Sequence, residues 1–174
     1  MTFTRRRALG AALLLPLEAL AQTCGALTAR QTEGPFFTPD SPLRKSLLEG
    51  GEKTRLIVTG TVLSAQCKPV PNALLDFWHS DEEGAYDNRG FRYRGHQHAD
   101  AQGRYRLETI VPAQYPGRTR HIHVKVQAPG KRILTTQLYF PGDPGNSRDF
   151  LYRPELEMKK SDAGQASFDF VVEA

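Results

Sequence analysis

The chain has 174 residues and a formal net charge of +4. That length supports one substantial hydrophobic core and excludes two ordinary domains. Its Lys and Arg residues are scattered, with no basic stripe and no nucleic-acid-binding motif, so nucleic acid is not an expected partner.

In chain order, the first element is Thr4-Arg5-Arg6-Arg7-Ala8-Leu9, followed by an apolar run from Ala11 to Leu17 and the small-x-small triplet Ala19-Leu20-Ala21. This reads as a twin-arginine export signal over residues 1–21, cleaved after Ala21, and predicts a periplasmic or otherwise exported protein. The apolar run is well short of the roughly 20 residues that span a bilayer, so no stable membrane insertion is expected after signal removal. Cleavage takes away Arg5, Arg6, Arg7 and Glu18 and lowers the net charge from +4 to +2. Cys24 and Cys67 both lie beyond that point. An oxidising compartment allows them to pair, free thiols or metal ligation being the alternatives. A lipid anchor on Cys24 fits poorly, because Gln22 and Thr23 stand where a lipoprotein box has small residues.

Residues 22–53 are punctuated by Pro and Gly, as in Glu33-Gly34-Pro35-Phe36-Phe37 and Pro39-Asp40-Ser41-Pro42, and show no helical period. They are expected to form an ordered arm draped on a domain spanning residues 54–174. Within that domain, Leu56 to Leu63 is apolar and β-branched, and Pro69 to Asn72 turns the chain into a second strand, Ala73 to Trp78. Residues 79–100 read as a long polar loop, a length often functional inside compact domains. Arg104 to Ile110 alternates polar and apolar residues; strands follow at His121–Val126, Ile133–Phe140 and Ser167–Val172. One or two helical turns are expected within 149–160. About seven short strands without a strong amphipathic helix predict an all-β fold, a β-sandwich.

His121 and His123 project from one face of their strand, while Ile122, Val124 and Val126 line the other, so two imidazoles can share one metal ion. Two histidines on one face also occur where that face is simply wet. Tyr115, held in a loop stiffened by Pro112 and Pro116, favours the metal reading. Tyr86 is the best further candidate, because Gly84 lets the backbone bend just beyond the strand ending at Trp78. Two tyrosines with two histidines favour ferric iron, since phenolates are hard anions and imidazole suits iron, copper and zinc alike. His96-Gln97-His98 is a second pair, read as an exposed hairpin end; His79 is read as shaping the pocket or facing solvent.

These residues carry a resemblance. From Leu56 to Asp143 the chain resembles the intradiol ring-cleavage dioxygenases, the family of protocatechuate and catechol dioxygenases. The match runs through Asp76-Phe77-Trp78, Gly84-Ala85-Tyr86, Asp100-Ala101-Gln102-Gly103, Tyr115-Pro116, Arg118, His121-Ile122-His123 and Thr136-Gln137, and the arm's Gln31 to Phe36 is similar to smaller, exported-type relatives. The resemblance implies a transthyretin-like sandwich and a non-haem Fe(III) cofactor held by Tyr86, Tyr115, His121 and His123. It implies Tyr115 as the ligand displaced by substrate, Arg118 as the active-site arginine and Gln137 as its supporting glutamine. A catechol-type aromatic and O2 become the expected reactants, with a homo-oligomer possible. The chain departs from the family in lacking a long helical N-terminal region and in carrying Thr119-Arg120 where Pro-Ala is common.

Two other functions compete. One is a non-catalytic transthyretin-like ligand-binding module; the other is a zinc hydrolase, which His and carboxylate ligands would serve better than two tyrosines. For substrate choice, Glu33 to Phe37 and Asp87 to Arg94 are expected to reach the pocket, with Arg89, Arg92 or Arg94 meeting a substrate carboxylate.

Overall fold

A computed structural model describes residues 24–174. The export signal and its cleavage point lie outside the described residues. Runs of apolar and β-branched residues produce β1 (Leu56–Ser64), β2 (Leu74–Trp78), β4 (Arg104–Thr109), β5 (His121–Gln127) and β6 (Leu134–Tyr139), and the polar β3 (Arg94–His98) joins them; β7 (Lys159–Lys160), β8 (Gln165–Ser167) and β9 (Phe170–Val172) are short. They form two sheets. The first runs β4-β1-β8-β7, with β9 also on β1; the second runs β3-β2-β5-β6. Leu56, Val58, Val62, Leu107 and Phe170 of the first sheet meet Leu75, Phe77, Ile122, Val124, Val126 and Leu138 of the second in one core. Each such side chain, fully buried, contributes about 1.5–3 kcal/mol.

The nine strands among the described residues agree with the seven or more expected, and four readings need correction. Residues 79–100 are not wholly loop: β3 lies inside them and pairs with β2, Asp76 opposite His96. His96 is therefore a strand residue beside Ser41, not an exposed hairpin end, although His98 is exposed. The last strand is broken into β8 and β9, which pair in turn with the two halves of β1. The expected helical turns are 3-10 turns at Asn146–Arg148 and Pro154–Leu156, the first lying before the predicted window.

The outer face of the second sheet is covered by the segment 28–47. Gln31 N donates to Thr135 O at 2.9 Å on the β6 side. Across the sheet, Arg44 N donates to His96 O at 2.8 Å, and Leu47 N reaches Glu108 O of the other sheet at 2.8 Å. Cys24 and Cys67 are bonded, which ties the start of this segment to the turn after β1. Among the described residues no helix is long and apolar enough to cross a membrane.

Where β8 gives way to β9, Phe168 N donates to Thr59 O at 2.9 Å, and a Cβ on Gly60 would overlap the Phe168 carbonyl. Gly60→Ala must displace backbone and is expected to cost about 1–3 kcal/mol in urea denaturation.

His79 joins the two sheets: its Nδ1 lies 2.7 Å from Ser80 O and its Nε2 2.6 Å from Thr109 Oγ1 of β4. It is buried, so it does not face solvent. Burial lowers its pKa to about 4. Between that value and the ordinary 6.5 the unfolded chain binds more protons, so this contribution is present at neutral pH and lost as pH falls from about 6.5 to about 4. Unfolding midpoints of His79→Gln measured over that window are expected to fall less steeply with acid than those of the native protein.

Candidate active site

Strand register assembles the site. Trp78 pairs with Arg94 on one side and His123 on the other, and His123 pairs with Gln137, so four buried side chains stand in one row across β3, β2, β5 and β6. Such directly opposed residues share a face of the sheet. One step along the same face, His121 stands opposite Tyr139.

His121 and His123 meet at their Nε2 atoms, 3.1 Å apart, and the Tyr86 hydroxyl lies 3.2 Å from His121 Nε2. His121 Nδ1 lies 2.7 Å from the Thr119 carbonyl. That acceptor puts the proton on Nδ1 and leaves the Nε2 lone pair free. Burial lowers the pKa of His121 to about 4 and that of His123 well below its ordinary value, so both rings are neutral. Burial also raises the Tyr86 pKa, keeping it a phenol unless a cation is at hand. Three Lewis-basic atoms thus converge at the spacing two nitrogens take when each is about 2.0–2.1 Å from one shared cation. His123 Nδ1 and the neighbouring Trp78 Nε1 are buried with no hydrogen-bond partner among the described residues. The donor set fits a hard cation. Among the described residues no group of three His, Cys, Asp or Glu is arranged to hold a metal.

Tyr86 and Tyr115 come from separate loops that brace each other. Gly84 has φ of +87°, and a Cβ there would overlap the Gln114 carbonyl. Ala113 N donates to Asp81 O at 2.9 Å, and Ala85 N to Asp81 Oδ1 at 2.8 Å. The two tyrosine rings end 5.8 Å apart, centre to centre. Phe36 stacks on Tyr86 at 4.5 Å and meets Tyr115 edge-on at 5.2 Å. Tyr115 is therefore at the cluster by ring contact, while Tyr86 touches the His121 imidazole through its oxygen.

Arg118 and Gln137 are brought together: Arg118 Nη2 donates to Gln137 Oε1 at 2.7 Å, and Gln137 Nε2 donates to Thr32 O at 2.9 Å. The sequence reading missed Asp149. Its Oδ2 accepts from Arg118 Nε at 2.8 Å and Thr119 N at 2.9 Å, and its Oδ1 from Leu151 N at 2.9 Å. Burial pushes its pKa up, but these hydrogen bonds and the guanidinium win and hold it below the usual carboxylate range. Because Thr119 also fixes His121, one carboxylate orients both the arginine and an imidazole. Of the arginines read as substrate contacts, Arg94 and Arg92 are engaged elsewhere, while Arg89 is exposed. Arg94 is buried and spent on the carbonyls of Asp87 and Phe36, and Arg92 lies against Tyr93 and Asp81.

A family model described as Dioxygenase matches residues 32–172. The chain belongs to this dioxygenase family. It is 52% identical to the dioxygenase domain of a dioxygenase carbohydrate-binding protein fusion from Streptomyces sp. SirexAA-E, with a TM-score of 0.82 over 85% of this chain and 99% of that one. It is 32% identical over 155 residues to catechol 1,2-dioxygenase of Acinetobacter baylyi, covering 72% of this chain and 50% of that protein. It is 33% identical over 136 residues to hydroxyquinol 1,2-dioxygenase of Corynebacterium glutamicum, covering 64% and 45%. The chain spans about half the length of these two relatives.

Losing the Asp149 carboxylate while keeping its shape tests the clamp. Asp149→Asn is expected to lower stability by about 1–3 kcal/mol in denaturant titration, because a buried charge-assisted hydrogen bond is weakened.

Proposed function

We propose that the protein cleaves a catechol-type aromatic between its two hydroxyl-bearing carbons, adding both atoms of O2 to give a muconate-type dicarboxylate, at a non-haem Fe(III) centre. The observation that carries this reading is the convergence of His121 Nε2, His123 Nε2 and the Tyr86 hydroxyl, in a member of the dioxygenase family. Tyr86, Tyr115, His121 and His123 would hold the ion. Ferric iron there supplies Lewis acidity, which lowers the pKa of the catechol hydroxyls and activates the ring toward O2.

The chain's own groups do the rest. Tyr115 would leave its position and take a catechol proton on its phenolate oxygen, a reading supported by its being half-buried and without a polar partner for its hydroxyl among the described residues. Arg118 stabilises negative charge that develops on the substrate, a preorganised role because Asp149 and Gln137 hold the guanidinium beforehand. Phe36 and Trp78 flank Tyr86 and His123 and keep water from the ring.

Export completes the proposal. It is supported by the pattern of residues 4–21 and by the Cys24–Cys67 bond, which suits an oxidising compartment. The reading also takes 22–53 as an arm belonging to a small, exported kind of this family.

Oxygen uptake by iron-loaded protein across catechol, protocatechuate and hydroxyquinol, with the product identified by mass, checks the reaction. A dicarboxylate carrying two added oxygen atoms is expected, and Arg118→Gln is expected to lower kcat by about a hundredfold while iron stays bound. No oxygen uptake with any catechol would leave the non-catalytic binding module as the better account, and that module would be indifferent to Arg118→Gln.

A further inference from the structure

We propose that the substrate is a catechol bearing a side arm that ends in a carboxylate, and that Arg148 and Arg120 receive that carboxylate. This rests on the catechol cleavage proposed above and names the kind of catechol. A cleft of about 640 Å³ opens beside Tyr115 and Arg118 and is walled by Arg120, Pro144 and Arg148. Clefts of this size hold ligands much larger than a single ring. With a catechol ring at Tyr115, space remains for a substituent.

The charges around the cleft indicate what that substituent carries. Arg118 is deep, its side chain 14% exposed, and committed to Asp149. Arg120 is nearer the surface, 44% exposed, and only loosely paired, 3.4 Å from Asp143 Oδ2. Asp143 turns its other oxygen to Gln114 Nε2 and Gly145 N, both at 2.8 Å. Arg148 is exposed and has no carboxylate within 4.0 Å among the described residues. Asp149 and Asp143 therefore offset Arg118 and Arg120, and one positive charge at the mouth is left over. Because Arg120 and Arg148 lie farther out than Arg118, a carboxylate on a spacer would suit the mouth better than one carried directly on the ring.

The mouth is built before anything binds. Thr119 Oγ1 donates to Asn146 Oδ1 at 2.7 Å, and Asn146 Nδ2 donates to Phe140 O at 3.0 Å. Gly145 is packed so closely that a Cβ would come within 2.8 Å of Gln114 Nε2 and 2.9 Å of Thr119 Oγ1. Arg148 ends the short turn that stands on this corner. Thr119-Arg120, the dipeptide that departs from the family's common Pro-Ala, thus supplies both the anchor of the mouth and its second cation.

The test uses iron-loaded native protein and Arg148→Gln with 3,4-dihydroxyphenylpropanoate and its methyl ester, two compounds of like shape that differ in charge. Oxygen uptake gives kcat and KM, and anaerobic calorimetry gives Kd. The native protein is expected to favour the acid about fivefold, through KM and Kd rather than kcat, as one partly exposed charge pair allows. Raised salt and Arg148→Gln are each expected to erase the preference. Equal handling of acid and ester by the native protein, or a preference that survives Arg148→Gln, overturns the proposal. If neither compound nor catechol itself is cleaved, the ring-cleavage reading has failed, and the calorimetric comparison alone still decides the subsite by the same two outcomes.

Discussion

Everything at the site depends on the register of β5 within its sheet. Ile122, Val124 and Val126 are fully buried in the core, and that burial fixes which way the strand faces. A slip of one residue would send all three outward and drive His121 and His123 into the apolar interior. The hydrophobic core thus sets the position of the imidazoles. Pairing with β2 and β6 then lines up Trp78, His123 and Gln137 without any loop having to close. The most demanding part of the geometry, two nitrogens 3.1 Å apart, sits on a strand paired on both sides.

The second constraint is cover. A sheet face carrying histidine, glutamine and arginine would ordinarily be wet, yet here residues 28–47 lie across it and bury it. Lys125 shows how charge is accommodated beneath that cover: it pairs with Glu33 at 2.6 Å and lies over the Phe37 ring. Gly34 approaches the His123 ring, where a Cβ would come within 3.5 Å of Cε1. Burial lowers the pKa of both imidazoles and so favours their neutral form. Two phenolates with Fe(III) would leave a net charge near +1, matched to an anionic catecholate.

Much of this was legible in the sequence. Alternating apolar residues marked β1, β2, β4, β5 and β6, and His-x-His on one strand marked the imidazole pair. Gly84-Ala85-Tyr86 and Tyr115-Pro116 marked the tyrosines, because a glycine and two prolines shape the loops that carry them. β3 was not legible: Arg94-Gly95-His96-Gln97-His98 has no apolar alternation, since the covering segment, not solvent, satisfies its polar groups. Asp149 was silent too, lying 31 residues from the Arg118 it holds. Phe36 was visible only as part of an arm; its stacking on Tyr86 depends on how the arm crosses the sheet. Periodicity reports what a strand buries beneath itself and says nothing of what another segment lays on top.

The central claim is that Tyr86, Tyr115, His121 and His123 form one ferric site, and metal content with visible spectroscopy tests it most directly. Protein loaded with iron is expected to hold one iron per chain and to show a tyrosinate-to-iron charge-transfer band, altered in Tyr115→Phe and lost with the metal in His123→Ala. A colourless protein with iron bound, or an unchanged band after both tyrosines are replaced, would contradict it.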